Sequence, residues 1–222
     1  MLAYILSFFS GIIRYLRICN ADALASDKRD REKLVMTALK EGRTFITSGQ
    51  VYERYRKYFA SPRDCVKLSN SGTALDQFKE LVNGCRLVIR LEDLFARCSL
   101  CNTTPFIIIS AKEFSEHHSR YIGQLEEEEK LAEKSTVAGG SEKQSPAKTA
   151  KPFLVPAIEN GELKRPAFRI DFESFGKMKF ISKMPVVDKF YICSNLQCGH
   201  IYWDGCHSNN FIPNIKALIE DA

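Results

Sequence analysis

Cys98 and Cys101 stand two residues apart in RCSLCN, and a second cysteine-rich stretch, CSNLQCGHIYWDGCH, begins at Cys193. Thiolates at such spacing chelate. One tight turn brings two sulfurs onto one ion, and zinc takes four ligands tetrahedrally from two knuckles of this kind. The spacing assigns Cys98, Cys101, Cys193 and Cys198 to one zinc ion, with His200, Cys206 and His207 as alternates for a ligand of the second pair. The second pair is wider than usual but within the tolerated range, and Gly199 relieves its turn. Four protein ligands leave no open position, so the expected role of the metal is structural. Tyr202 and Trp203, inside the same stretch, are expected to pack on this ribbon rather than serve a substrate. Cys19, Cys65 and Cys85 lie within apolar patterns and read as small core residues.

The two knuckles need a scaffold. LAYIL reads as a buried strand, and Ile12, Ile13, Leu16 and Cys19 follow at helical spacing. Ser26 caps a helix whose first turn carries Asp27 and Asp30, whose stripe is Leu34, Val35, Ala38 and Leu39, and whose stop is Gly42. RTFITS reads as a strand, SGQVYERYRKYF as a helix, DCVKL as a strand, and TALDQFKELV as a helix ended by Asn83 and Gly84. Strands alternating with helices imply a parallel sheet under covering helices.

After the first knuckle, TPFIIIS reads as a buried strand and AKEFSEHHSRY as a short helix, with His117 and His118 on its surface. From Gln124 the composition turns to four successive glutamates and then Gly, Ser, Thr, Lys, Pro and Ala, too poor in large apolar residues to offset the cost of ordering. The expected organisation is an α/β domain over 1–97, the first knuckle with its following strand and helix over 98–123, a disordered linker over 124–151, and strands with the second knuckle over 152–222. NFIPNIKALIEDA closes the chain with a short helix.

Of 222 residues, 45% are hydrophobic, enough for one sizeable core with an appendage. The apolar run at the N-terminus stops at Arg14 after about a dozen residues, where about 20 are needed to span a bilayer. No membrane partner is expected. The CxxC pair suits a metal better than a disulfide framework, which points to a reducing, intracellular setting. The net charge of +5 comes from the α/β part, a mild attraction for phosphates well short of a dedicated nucleic-acid binder. The abrupt apolar start suggests a piece of a longer polypeptide.

YLR with Asp22 after it, TFITS followed by a helix, DQFKEL, RCSLCN and CGHIYWDGCH together resemble the Mut-seven C-terminal RNase-like domain family, a PIN-like nuclease fold followed by a zinc ribbon. The resemblance spans most of the chain outside the linker. It implies a PIN-like parallel sheet with covering helices, then a small zinc ribbon interrupted by a disordered insertion. In one architecture of this family the domain sits at the C-terminal end of a DEDD-type 3′ to 5′ exoribonuclease of small-RNA silencing.

PIN-like nucleases hold Mg or Mn with a few carboxylates at the C-terminal ends of the strands. Leu6 or Ser7 stands where the family pattern puts the first acid, and Thr47, Ser48 and Gly49 replace a Thr-Arg-Asp run. Asp22 remains, and Asp76 offers a second carboxylate. Two acids make a poor site for hard divalent cations, so the expectation is a degenerate, noncatalytic RNase domain. It serves as an RNA-binding and protein-docking module of an exoribonuclease. Its partners are single-stranded RNA and a protein of a silencing complex, and its place is the cytoplasm or nucleus, including a perinuclear RNA granule. The alternative is an active metal-dependent endoribonuclease using Asp22, Asp76 and acids such as Asp27, Asp30 or Asp93. Arg43, Arg54, Arg56 and Lys57 are the residues expected to hold RNA phosphates, while Tyr52, Tyr55 and Phe59 form a stripe that suits the core.

Overall fold

The computed structural model describes residues 3–6, 10–25, 30–85, 87–136, 152–156, 158–159, 162–163, 165–176, 187–203 and 208–218. The chain divides into two units, residues 1–105 with 208–222 and residues 106–207. It is a mixed α/β protein.

In the first unit, β1 (Ala3–Leu6), β2 (Asp22–Ala25), β3 (Thr44–Thr47) and β4 (Cys65–Lys67) form a parallel sheet in the order β2-β1-β3-β4. These are short apolar runs, as a sheet covered on both faces requires. Ile46 belongs to a core with Ile12, Ile13 and Leu16 of α1 (Ser10–Ile18) and Phe78, Leu81 and Val82 of α4 (Ala74–Cys85). Its neighbour Phe45 points the other way, because successive side chains alternate across a strand. It meets Leu34, Val35 and Ala38 of α2 (Arg31–Glu41) and Tyr55 at the end of α3 (Gly49–Tyr55). Gly42 ends α2 in the left-handed conformation, φ 62°, its N–H bonded to the Ala38 carbonyl. The closing helix α7 (Ser208–Ile215) adds Phe211 and Ile215 to the first core.

In the second unit, β5 (Phe106–Ser110), β10 (Lys189–Cys193) and β11 (Ile201–Trp203) form an antiparallel sheet in the order β11-β10-β5. A hairpin of β6 (Phe153–Val155) and β9 (Phe168–Ile170) and a minor pair, β7 (Ile158–Glu159) with β8 (Glu162–Leu163), accompany it. The core is aromatic: Phe114 stacks on Phe190 at 3.9 Å between ring centroids and packs against Phe172 and Phe175 of α6 (Phe172–Gly176).

Helix α5 (Ala111–Thr136) corrects one expectation, since it continues through the first part of the segment read as disordered from residue 124. Glu, Leu, Lys and Ala are strong helix formers, and Glu126 precedes Lys130 by four residues, so local propensity extends a helix that packing starts. Residues 137–151, the rest of that segment, lie outside the described residues. His117 is a second correction. It is 2% exposed rather than on the surface, its ring edge-on to Phe153 and Phe168. His118 is half-buried against Phe114 and Phe172. Among the described residues, no helix is long and apolar enough to cross a membrane.

Candidate metal centre and the carboxylates

The sulfur atoms of Cys98, Cys101, Cys193 and Cys198 lie within 4.8 Å of one another. Four thiolates about 2.3 Å from a tetrahedral zinc stand about 3.8 Å apart, so this donor set fits zinc with only a small closure. The first knuckle is a turn in which Asn102 N–H donates to the Cys98 carbonyl at 2.9 Å, with Asn102 at φ 76°. In the second, the Cys198 and Gly199 amides both donate to the Asn195 carbonyl, and Gly199 takes φ 62°. The residue after each pair is thus left-handed, a conformation that Asn and Gly tolerate best. At 199 the space also demands glycine, because a Cβ there would stand 2.7 Å from the Arg169 carbonyl oxygen. His200 is outside the four-sulfur group, its ring against Tyr202, and Cys206 and His207 lie outside the described residues.

The first knuckle rests on a polar network. Arg17 Nε donates to the Ala23 carbonyl at 2.9 Å, and its Nη1 donates to the carbonyls of Ser99 and Leu100 inside the knuckle. Arg97 donates to the Asn102 carbonyl at 2.6 Å. The Asn102 side chain accepts from the Ala23 N–H at 3.2 Å and donates to Asp22 Oδ1 at 2.5 Å. Asp22 Oδ2 accepts from Arg43 Nη2 at 2.8 Å, and a second nitrogen of Arg43 reaches the Asp22 carbonyl at 3.1 Å. Burial alone would raise the Asp22 carboxyl, but hydrogen bonds from Arg43 and Asn102 and the charges of Arg43 and Arg97 outweigh it and hold the group below its ordinary range. These residues were legible only as isolated motif letters. The side-chain contacts join YLR, the aspartate and RCSLCN into one connected unit.

The two carboxylates offered for catalysis do not share a site. Asp22 opens β2 in register with Ala3, the first residue of β1, so it lies at the N-terminal edge of the parallel sheet. Asp76 sits in the first turn of α4, which follows the C-terminal end of β4. A strand of this length separates the two edges by about 10 Å. Asp76 is engaged in a capping box: its Oδ2 accepts from the N–H and hydroxyl of Thr73 at 2.9 and 2.8 Å, and the Thr73 hydroxyl accepts from its N–H at 3.2 Å. The bonds from the Thr73 backbone and side chain lower its pKa. Asp30 is paired with Lys33, and Asp93 accepts from Asn20. Asp27 and Ser7 lie outside the described residues. Among the described residues, the four cysteines are the group of acids, thiols and imidazoles gathered closely enough to hold an ion.

Of the residues expected to hold phosphates, Arg43 is committed to Asp22 and Glu41 with 12% of its side chain exposed. Arg56 is half-buried and donates to the Phe59 carbonyl at 2.6 Å. Arg54 and Lys57 are exposed; Arg54 touches Glu32 at 3.4 Å, a loose pair between side chains that are mostly in water. Tyr55 and Phe59 are buried, and Tyr52 packs against the same core. The exposed aromatic of this segment is Tyr58, with Lys57 Nζ 5.3 Å from its ring centre.

The family model described as the Mut7-C RNAse domain matches residues 7–133, more than half of the chain. The chain belongs to the Mut7-C RNAse domain family. It is similar to the human protein named Exonuclease mut-7 homolog, 23% identical over 230 residues that cover 97% of this chain and 26% of that protein. The chain therefore spans about a quarter of that relative's length. No solved structure matches.

Proposed function

We propose that this chain is a noncatalytic RNA-binding and protein-docking module of a 3′ to 5′ exoribonuclease acting in small-RNA silencing, with zinc as a structural staple. The observation that carries the noncatalytic half is the placement of its carboxylates at opposite edges of the sheet, one engaged by Arg43 and Asn102 and the other by Thr73. A two-metal hydrolysis needs ions about 3.5–4 Å apart, held by acids that converge. Membership in an RNAse domain family and the exposed group Arg54, Lys57 and Tyr58 support the RNA half. Leu154, 56% exposed on β6, supports docking of a protein. The reading places the chain in the cytoplasm or nucleus, including a perinuclear RNA granule.

The family's description favours a second reading, cleavage of RNA with Mg or Mn. A time course with labelled single-stranded RNA in manganese buffer, wild type beside Asp76→Asn, run on native and denaturing gels, separates the two. The noncatalytic reading expects full-length RNA and a shifted native band that fades steeply with salt. Shortening by the wild type that Asp76→Asn abolishes would establish the second reading instead.

A further inference from the structure

The two cysteine knuckles share a feature that the spacing of their thiols does not require. In the first, Arg17 of α1 donates to the carbonyl of Leu100, the residue before Cys101. In the second, Arg169 of β9 donates through Nη1 to the carbonyl of Gln197, the residue before Cys198, at 3.2 Å. Each knuckle thus carries a guanidinium on the peptide that leads into its second thiol.

Arg169 is built toward the second knuckle. Phe168 and Ile170 on either side of it belong to the aromatic core, so its side chain leaves the opposite face of the strand. Its carbonyl oxygen and Cγ stand 2.7 and 2.9 Å from where a Cβ on Gly199 would lie, and the Asp171 N–H donates to the Gly199 carbonyl at 2.9 Å. Among the described residues no carboxylate pairs with Arg169, and its Nε is buried without a hydrogen bond. A cation held in this way is costly in neutral surroundings. The anion within reach of this knuckle is the metal centre, because four thiolates outweigh the two charges of one zinc ion.

We propose that Arg169 is the positioning residue of the second knuckle, the counterpart of Arg17 at the first. It seats Cys198 through the Gln197 carbonyl and offsets the negative charge of the loaded centre. The assignment rests on the zinc reading above and adds to it a residue outside the ligand set.

The test is chelator competition with the zinc-loaded full chain, comparing wild type with Arg169→Lys, Arg169→Gln and Arg169→Met. Lysine keeps the charge, glutamine keeps a donor without the charge, and methionine keeps the stem against Gly199. Circular dichroism controls for folding, and the absorption of the cobalt-substituted protein reports whether all four thiolates still bind. Removing a partner that orients metal ligands weakens binding by about 10–100-fold, so Arg169→Gln and Arg169→Met are each expected to hold zinc roughly tenfold more weakly. Arg169→Lys is expected to stay close to wild type, and added salt to narrow the gap between wild type and Arg169→Gln, since what glutamine lacks is a charge. All variants keep the four-thiolate cobalt spectrum. Wild-type affinity in Arg169→Met or Arg169→Gln overturns the assignment, and a lysine variant as weak as glutamine overturns the part played by charge. A wild type that binds no zinc overturns both the assignment and the reading beneath it.

Discussion

Replacing Asp22 with Asn separates two incompatible roles for this acid. The carboxylate accepts from Arg43 at 2.8 Å and from Asn102 at 2.5 Å, and its side chain is 17% exposed. An amide keeps one acceptor and turns the other position into a donor that faces a donor, while removing the charge opposite Arg43. A hydrogen bond to a charged group contributes roughly 1.5–3 kcal/mol net, so losing one and weakening the other costs about 2–3 kcal/mol. For a chain of this size that lowers the melting midpoint by about 4–12 °C. Because Asn102 directly follows the ligand Cys101, the loss also reaches the knuckle, and a chelator strips zinc from the variant faster. The assay is urea unfolding of the zinc-loaded protein by circular dichroism, with the midpoint falling at unchanged slope. An Asp22→Asn variant that unfolds at the wild-type midpoint and has lost a measurable RNA-cleaving activity would refute the structural role and restore the catalytic one.

The same carboxylate sets a pH dependence. Its folded-state pKa is depressed, so its stabilisation is fully present above the unfolded value of about 3.9 and is lost as pH falls below that. The stability gap between wild type and Asp22→Asn therefore narrows in acid, and a gap that stays constant from neutral pH to acid would contradict the pairing. Native mass spectrometry should find one zinc per chain in the wild type and in Cys206→Ser but none in Cys193→Ser; zinc lost only from Cys206→Ser would replace Cys193 or Cys198 as a ligand. Gly199→Ala places a methyl 2.7 Å from the Arg169 carbonyl at positive φ, with an expected loss of about 2–4 kcal/mol in urea unfolding. Wild-type stability in that variant would mean the second knuckle can open without cost.

The parallel sheet was legible because β1, β3 and β4 are apolar runs bounded by Gly, Asn and Ser, and the gathering of four cysteines was legible because paired thiols at knuckle spacing suit one ion. What the letters hid was direction. Asp22 reads as the acid after a helix, yet the chain turns through Asn20 at φ 61° and enters β2 at Asp22 itself, which puts the carboxylate at the start of a strand rather than its end. Tyr202 and Trp203 read as one packing pair, but adjacent residues on a strand face opposite ways. Trp203 meets Phe175 and Phe190 in the core while Tyr202 meets Phe106 and His200 on the other face. His117 carried a usable signal, since Phe114, His117 and Tyr121 recur at helical spacing and mark a buried stripe. The run of glutamates misled because composition alone weighs against burial, and an exposed helix needs little burial of its own.

The polar network changes what the family's motif letters mean. An arginine after Tyr-Leu, an aspartate five residues on and an Arg-Cys-x-x-Cys-Asn run look like parts of a hydrolytic centre when set beside the word nuclease. Here each has a bond that accounts for it: Arg17 holds two knuckle carbonyls, Asn102 ties the knuckle to Ala23 and Asp22, and Arg43 balances the aspartate. A left-handed Asn at 102 is the hinge of this arrangement, since glycine would supply the backbone conformation but neither side-chain bond, and alanine would supply neither. The consequence can be measured directly: Asn102→Gly and Asn102→Ala should both lose the two bonds, about 2–4 kcal/mol together. Alanine should lose about 1 kcal/mol more for the strained φ. Equal stability of glycine and asparagine at this position would show that the turn alone seats the metal and that the bonds to Asp22 are incidental.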